Sequence, residues 1–172
     1  DDPQGAALAR ELAQRSEFDL WTVSLTDPAA RLSVVRHEVT PQGMSCVVKE
    51  AGAGDAATLE LPLVGSYNLS NLLGVLAAAR ALGVGLDAAL LATGALMPVP
   101  GRMQVVPAQT NGPLVLVDYA HTPDALEKAL MALQPLAGVR QGQLWCVVGC
   151  GGDRDPGKRP LMAAVAEREA DH

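Results

Sequence analysis

Residues 114–124 read LVLVDYAHTPD, and this stretch decides the fold of the C-terminal part of the chain. Leu114–Val117 is an apolar run of strand length, and the polar residues after it lead into Asp124–Leu136, which has the apolar spacing of a helix. The same order recurs, because Leu144–Val148 is a second apolar strand candidate and Lys158–Glu169 a second helix candidate. Apolar strands that alternate with helices predict a parallel sheet covered on both faces.

The preceding part of the chain has a different pattern of short strands and alanine- and leucine-rich helices. The predicted strands are Leu20–Leu25, Leu32–Val39, Met44–Lys49 and Thr58–Val64, and the predicted helices are Pro3–Arg15, Asn68–Leu82 and Leu86–Leu96. The last three strands are expected to form a meander, and the last two helices a helical hairpin. Met97–Gly101 contains two prolines, which fix φ and remove backbone donors, so this segment is predicted to be a domain linker. We therefore divide the chain into residues 1–99 and 100–172.

Composition and charge exclude several classes of protein. The formal net charge is -6 and the chain lacks a cluster of lysines and arginines, which argues against a nucleic-acid partner. The longest uncharged stretch, Leu61–Ala79, contains a proline, two serines and two asparagines, so it is a poor membrane span. The odd number of cysteines (Cys46, Cys146 and Cys150) gives no disulfide framework and no metal knuckle. We interpret them as reduced thiols of a cytoplasmic protein.

Two polar side chains follow the first predicted strand of the C-terminal part. In open α/β sheets, ligands bind at the carboxyl ends of the strands, which is where Asp118 and His121 lie. Asp118 could accept hydrogen bonds from ribose hydroxyls or an amine, and His121 could donate to a phosphate. The alternative is that Asp118 and Thr122 only cap the helix that follows.

The second predicted strand is followed by a glycine-rich, charged stretch, residues 149–160, which reads GCGGDRDPGKRP. Glycines let a backbone approach a ligand closely and direct N–H groups at an anion. The spacing matches neither the dinucleotide fingerprint nor the P-loop, which needs Gly-Lys-Ser or Gly-Lys-Thr. The guanidinium of Arg154 suits a ligand carboxylate. Alternatively, Arg154 only pairs with Asp153 or Asp155 and holds its own loop together.

Two further positions are candidates for ligand binding. Arg102 follows the proposed linker, where an arginine could reach a phosphate held between domains; otherwise it is an ordinary surface arginine. Asn68 and Asn71 are three residues apart at the start of a predicted helix, so they share a face. One of them could be the N-cap, and the other could bind a base edge through its amide.

Taken together, these motifs resemble the Mur ligase family. Residues 65–73, GSYNLSNLL, resemble the Gly-x-(aromatic)-Asn-x-x-Asn segment of the family's central domain, and residues 100–103, PGRM, resemble the junction into its C-terminal domain. Residues 118–124 and 151–160 are similar to two signatures of the branch that adds the third amino acid to the cell-wall precursor. The resemblance is dense from Gly65 onward and thinner before it.

The resemblance implies an α/β fold made of parts of two domains. Residues 1–99 would be the C-terminal part of the central ATP-binding domain, a β meander plus a helical hairpin. Residues 100–172 would be the first half of a Rossmann-like, amino-acid-binding C-terminal domain. The family's Gly-Lys-Thr phosphate loop, magnesium ligands and carbamylated lysine would lie upstream, and its Asp-Asn-Pro-Arg motif downstream. No catalytic or metal-binding residue is therefore predicted in this chain, which alone would be inactive.

The resemblance also implies an activity for the longer protein. The family uses ATP and Mg²⁺ to join meso-diaminopimelate or L-lysine to UDP-MurNAc-L-Ala-D-Glu through an acyl phosphate, in peptidoglycan precursor synthesis. Asn71 would contact the adenine, Arg102 the ATP phosphates, and Asp118 and His121 the ribose and phosphate side. Arg154 would bind a carboxylate of the incoming diamino acid. Partners would be small-molecule substrates only, without nucleic acid or membrane insertion, and the protein would be a monomer.

Three other functions stay open on the sequence alone. One is a dinucleotide-binding module such as an oxidoreductase, which the glycine-rich stretch after Val148 suggests and the absent fingerprint disfavours. Another is a different Mur-type ligase, such as folylpolyglutamate synthetase or the enzyme that adds D-Ala-D-Ala. The last is a structural fragment that retains no binding.

Overall fold

The computed structural model describes residues 1–97, 99–106, 112–151 and 155–172. These residues form two compact units. The first unit comprises Asp1–Glu38, Met44–Leu61 and Ser66–Leu96, and the second comprises Val39–Gly43, Pro62–Gly65 and Met97–His172. The assignment of residues 1–99 and 100–172 to parts of two larger domains stays a prediction.

The N-terminal half of the chain contains three helices and a four-stranded sheet. In chain order the elements are α1 (Pro3–Leu12), β1 (Val23–Ser24), β2 (Leu32–Thr40), β3 (Gly43–Glu50), β4 (Ala57–Leu61), α2 (Ser66–Ala81) and α3 (Leu86–Thr93). The strands lie in the order β1-β2-β3-β4. Strands β1 and β2 are parallel and β3 and β4 antiparallel, while a two-residue turn joins β2 to β3. The predicted meander is therefore confirmed.

Helix α1 begins where the sequence predicts, because its cap is local. The Asp2 side chain accepts a hydrogen bond from the Gly5 backbone N–H at 2.6 Å. Pro3 occupies the first helical turn, where a missing N–H leaves no hydrogen bond unmade. Helix α1 has no buried residue, so capping rather than packing defines its start.

Helix α2 supplies the core of the first unit. It buries Leu69, Leu72, Leu73 and Leu76, the face that the leucine spacing predicts. The helix contacts β1 and α3, and Met44 and Cys46 of the sheet are equally buried. Because α2 begins at Ser66, Asn68 and Asn71 lie inside the helix, and the suggestion that one of them is the N-cap is wrong.

Two arginines, each paired with a carboxylate, lie next to the Trp21 ring in the first unit. The Arg80 guanidinium donates to both carboxylate oxygens of the buried Glu50, at 2.7 and 3.1 Å, and this pairing raises the pKa of Arg80. The Arg31 guanidinium lies 3.4 Å from the Trp21 ring centroid and also pairs with Asp19. Because Glu50 would be costly to bury unpaired, Arg80 is the group that makes its burial tolerable.

The three cysteines are free thiols, as predicted. Cys46 is buried in β3, and this burial raises the pKa of its thiol to about 11. Burial also raises the pKa of Cys146. A thiol with a raised pKa forms little thiolate near neutral pH, so both cysteines are poor nucleophiles and serve as packing groups.

The second unit contains β5 (Gln104–Val106), β6 (Val115–Val117), α4 (Pro123–Val139) and α5 (Lys158–Glu169). Strands β5 and β6 form a two-stranded antiparallel sheet, in which Gln104 pairs with Val117. Helices α4 and α5 pack together around a buried cluster of Leu126, Leu130, Met162 and Val165. The two predicted helices are confirmed, whereas β5 was not foreseen.

The predicted parallel pairing of Leu114–Val117 with Leu144–Val148 is wrong for the described residues. The antiparallel neighbour of β6 is β5, and Leu144–Val148 is extended but forms no strand. Its backbone instead pairs with the chain end, where the Cys146 N–H donates to His172 O at 2.8 Å and the His172 N–H to Leu144 O at 3.3 Å. These two bonds have the pattern of parallel strands.

Side chains of Leu144–Val148 alternate between two environments, as in a strand. Leu144 and Cys146 pack against the α4–α5 cluster. Trp145 is 67% exposed and lies against the His172 ring, with ring centroids 4.3 Å apart, and Val147 is fully exposed. Leu144–Val148 was predicted to be a strand covered on both faces, but it forms no strand, and cover on both faces was not found among the described residues. Nor does any described helix combine the length and apolar character that crossing a bilayer requires.

Substitution of Leu73 tests the importance of the α2 core. Leu73 is fully buried, so Leu73→Ala should lower the free energy of unfolding by about 2–5 kcal/mol through lost burial and a residual cavity. Leu91 is 83% exposed in α3, and Leu91→Ala should change it by less than about 0.5 kcal/mol. Urea denaturation followed by circular dichroism measures both. Equal losses in the two variants would contradict this packing.

Candidate functional site

The loop after β6 is fixed by the carboxylate of Asp118. One carboxylate oxygen accepts from the Ala120 backbone N–H at 2.8 Å, and the other accepts from the Met103 backbone N–H at 2.9 Å. The half-buried Asp118 therefore connects the loop after β6 to the turn before β5. The suggestion that Asp118 caps α4 is wrong, since Thr122 alone has that role and accepts from the Ala125 N–H at 3.3 Å.

The turn that Asp118 holds has an unusual backbone. Gly101 has φ of 71° and Met103 has φ of 46°, so both are in the left-handed region. A methionine rarely adopts this conformation without support from its surroundings. Here the Met103 side chain is almost fully buried and its N–H is bonded to Asp118, and these two contacts hold the strained residue in place. Arg102, between the two, is directed outward and exposed.

Arg102 and His121, two of the predicted binding residues, lie beside one aromatic ring. The Arg102 guanidinium carbon is 5.2 Å from the ring centroid of Tyr119. The imidazole ring of His121 lies 5.1 Å from the same ring, and its Nδ1 is 3.1 Å from the Tyr119 carbonyl oxygen. Sequence reasoning did not single out Tyr119, although its position between two candidate residues was a signal that it could have used.

A lysine from helix α5 contacts the same loop. The Nζ of Lys158 donates to the His121 carbonyl oxygen at 3.2 Å. Lys158 is the first residue of α5, and the packing of α5 against α4 brings it to the loop after β6. We call Arg102, Asp118, Tyr119, His121 and Lys158 the strand-end cluster. The sequence could not predict that Lys158 belongs to it, because the contact joins residues 37 positions apart.

The remaining predicted binding residues are not part of the strand-end cluster. Asn71 lies in the first unit, exposed on helix α2. Arg154, the predicted carboxylate ligand, lies outside the described residues, so its role stays a prediction.

The strand-end cluster has the chemistry of a site for a polyanion. It carries a guanidinium, an ammonium and an imidazole, all of which donate hydrogen bonds to phosphate oxygens. Each carboxylate oxygen of Asp118 has a second lone pair, so it can still accept from a sugar hydroxyl while it holds the backbone. No group of histidines, cysteines and carboxylates within the described ranges is arranged to hold a metal ion. The cluster therefore offers donors for phosphate oxygens and an acceptor for a sugar hydroxyl.

Comparison with known proteins agrees with these features. Residues 101–172, which contain the whole cluster, match the family described as Mur ligase, glutamate ligase domain. The chain belongs to the Mur ligase family. Among curated relatives of this Mur ligase chain is the UDP-N-acetylmuramoyl-L-alanyl-D-glutamate--2,6-diaminopimelate ligase of Acidovorax sp. (strain JS42). It is 57% identical over 99% of the chain, and the chain spans 33% of its length.

Solved structures support the same fold. A structure of a UDP-N-acetylmuramoyl-L-alanyl-D-glutamate--2,6-diaminopimelate ligase matches with a TM-score of 0.69 and 36% identity, over 96% of this chain and 33% of that one. The UDP-N-acetylmuramoylalanyl-D-glutamyl-2,6-diaminopimelate--D-alanyl-D-alanyl ligase of Acinetobacter baumannii matches with a TM-score of 0.64 over 78% of this chain and 28% of that one. At 21% identity the second match supports the fold alone. The predicted α/β Mur ligase fold is confirmed.

Replacement of Asp118 tests its role in holding the cluster. Asp118→Asn removes one of two acceptors and turns an amide N–H₂ towards a backbone N–H, so the free energy of unfolding should fall by about 1.5–3 kcal/mol. The matched control is Asp124→Asn, which breaks only an exposed pair with Lys128 and should cost less than about 1 kcal/mol. Thermal and urea denaturation measure both. The assignment is contradicted if the two substitutions are equally mild.

Proposed function

We propose that the chain is part of an ATP-dependent amide ligase that adds meso-diaminopimelate to UDP-MurNAc-L-Ala-D-Glu in peptidoglycan precursor synthesis. The observation that carries this proposal is the 57% identity, over almost the whole chain, to a relative named as a diaminopimelate ligase. Because that relative is named as a diaminopimelate ligase, we propose meso-diaminopimelate rather than L-lysine as the substrate. The chain spans about a third of that relative, so the proposal concerns the longer protein to which these residues belong.

In this proposal the strand-end cluster binds the nucleotide. Arg102 and His121 contact the phosphates, and Lys158 adds a further positive charge beside them. Asp118 accepts from the ribose hydroxyls. A contact of Asn71 with the adenine is the part of the proposal that the family resemblance supplies. Groups fixed before the substrate arrives neutralise developing charge without reorganising, which is the main source of rate enhancement in phosphoryl transfer.

The reaction needs more than these residues supply. ATP, when bound with Mg²⁺, provides the phosphoryl group that activates the γ-carboxylate of the D-glutamate. The amine of the diamino acid would then attack the carbonyl carbon of the acyl phosphate, forming the amide bond as the bond to the phosphate breaks and inorganic phosphate leaves. No Gly-Lys-Ser or Gly-Lys-Thr phosphate loop occurs in the 172 residues. We infer that the residues of this chain bind and orient the nucleotide and the diamino acid, and that the phosphoryl-transfer groups lie elsewhere in the protein.

Other ligases of the family are the second candidates. The structural match to the Acinetobacter baumannii ligase favours a shared fold and, at 21% identity, says nothing of the substrate. A dinucleotide-binding module has less support, since residues 149–152 read GCGG and lack the fingerprint spacing.

The test is an assay of the full-length protein with UDP-MurNAc-L-Ala-D-Glu, ATP, Mg²⁺ and a diamino acid. We expect the tripeptide product and inorganic phosphate with meso-diaminopimelate, and much less with L-lysine or D-Ala-D-Ala. The 172 residues alone should give no turnover, because they lack the phosphate loop. Preference for another amine, or NADH binding in place of ATP, would reject the proposal.

Substitution of Arg154 tests the diamino-acid site in the full-length protein. Arg154→Lys keeps the charge but loses the planar fork, so a two-bond contact with a carboxylate becomes a point contact. The kcat/KM for the diamino acid should fall about tenfold to a hundredfold, while the KM for ATP changes little. Arg102→Lys is the matched variant, which should mainly affect ATP. If Arg154 only holds its own loop, its substitution will disturb both substrates alike and lower the melting temperature.

A further inference from the structure

Tyr119 is an exposed aromatic residue between two of the groups proposed to bind ATP. Its side chain is 64% exposed, so it contributes little to the core. The Arg102 guanidinium carbon and the His121 ring both lie close to it, at 5.2 and 5.1 Å from the ring centroid. An arginine within about 6 Å of an aromatic centroid is attracted by the negative face of the ring. Tyr119 is thus the common neighbour of Arg102 and His121.

Backbone hydrogen bonds of Asp118 place Tyr119 and Arg102 beside each other. Asp118 is bonded to the Met103 N–H, one residue after Arg102, and to the Ala120 N–H, one residue after Tyr119. The two side chains therefore start from fixed, neighbouring points. Within the described ranges no carboxylate pairs with Arg102, so the Tyr119 ring is the contact that restricts its guanidinium.

We propose that Tyr119 is a positioning residue, whose ring holds the Arg102 guanidinium in the orientation in which it meets the ATP phosphates. The proposal rests on the proposed function, since it takes ATP as the ligand. Arginine has many rotamers, and fixing them before the ligand arrives removes part of the entropy cost of binding. In this role Tyr119 acts through Arg102, and its phenol hydroxyl is dispensable.

The competing explanation is that the Tyr119 ring contacts the nucleotide itself. Both explanations predict weaker ATP binding when the ring is removed. They differ in whether that loss needs Arg102, so a double-mutant cycle separates them.

The experiment uses the full-length enzyme and four variants: Tyr119→Phe, Tyr119→Leu, Arg102→Ala and the double variant Tyr119→Leu/Arg102→Ala. Two quantities are measured for each, the KM for ATP and the dissociation constant of a non-hydrolysable ATP analogue by calorimetry. A thermal melt and the KM for meso-diaminopimelate serve as controls for folding and for effects elsewhere.

We expect Tyr119→Leu to raise both ATP constants about twofold to fivefold, the range of an exposed cation–π contact. Tyr119→Phe keeps the ring and should bind ATP as well as the unaltered enzyme. In the Arg102→Ala background, Tyr119→Leu should cause no further loss. The KM for meso-diaminopimelate should stay unchanged throughout.

Three results would overturn the proposal, and they are distinguishable. If Tyr119→Leu weakens binding equally with and without Arg102, the ring acts on the nucleotide directly and the positioning role is wrong, although the nucleotide site stands. If Arg102→Ala leaves ATP binding unchanged, the nucleotide-binding role of the strand-end cluster fails as well. If Tyr119→Leu unfolds the enzyme, the Tyr119→Phe variant decides, since loss of ATP affinity there contradicts a role for the ring alone.

Discussion

The carboxylate of Asp118 is the constraint on which the strand-end cluster depends. It accepts a hydrogen bond from each of two backbone segments that are separate in sequence, at Met103 and Ala120. The first bond supports a methionine in the left-handed region, and the second orders the loop that carries Tyr119 and His121. Charge-assisted bonds of this kind are stronger than neutral ones, and two of them hold the segments at a fixed separation. A substitution here would displace several groups at once.

How far the sequence predicts this structure depends on the range of the interactions involved. Helices α1, α2, α4 and α5 could be placed because apolar spacing is a local property of the sequence. Strand β5 was missed because only three residues pair, and its identity comes from a partner, Val115–Val117, farther along the chain. The same reason explains Leu144–Val148, which was predicted to pair with Leu114–Val117 but whose backbone hydrogen-bond partners are residues 171 and 172. Pairing between distant segments is what local patterns cannot specify.

For the candidate site too, local interactions could be predicted from the sequence and long-range contacts could not. Arg102, Asp118 and His121 could be selected because each lies at a junction or strand end within a recognisable motif, and the structure does bring these three together. Lys158 joins them only through the packing of α5 on α4, and Tyr119 only through the arrangement of its neighbours. The positively charged side chains of the strand-end cluster lie around one loop, although the whole chain carries a net charge of -6. Because screening limits interactions between exposed charges to about 10 Å, these near neighbours outweigh the distant excess of carboxylates.

The two tryptophans of the chain are intrinsic fluorophores, one in each unit. Trp21 lies in the first unit beneath the Arg31 guanidinium, whereas Trp145 lies in the second unit, mostly in water and against the His172 ring. An indole in water emits at longer wavelength than one that is shielded, so the two emission spectra differ. Variants that retain a single tryptophan would therefore follow the melting of each unit separately. Coincident transitions would indicate that the two units unfold as one cooperative body, and separate transitions that each is stable alone.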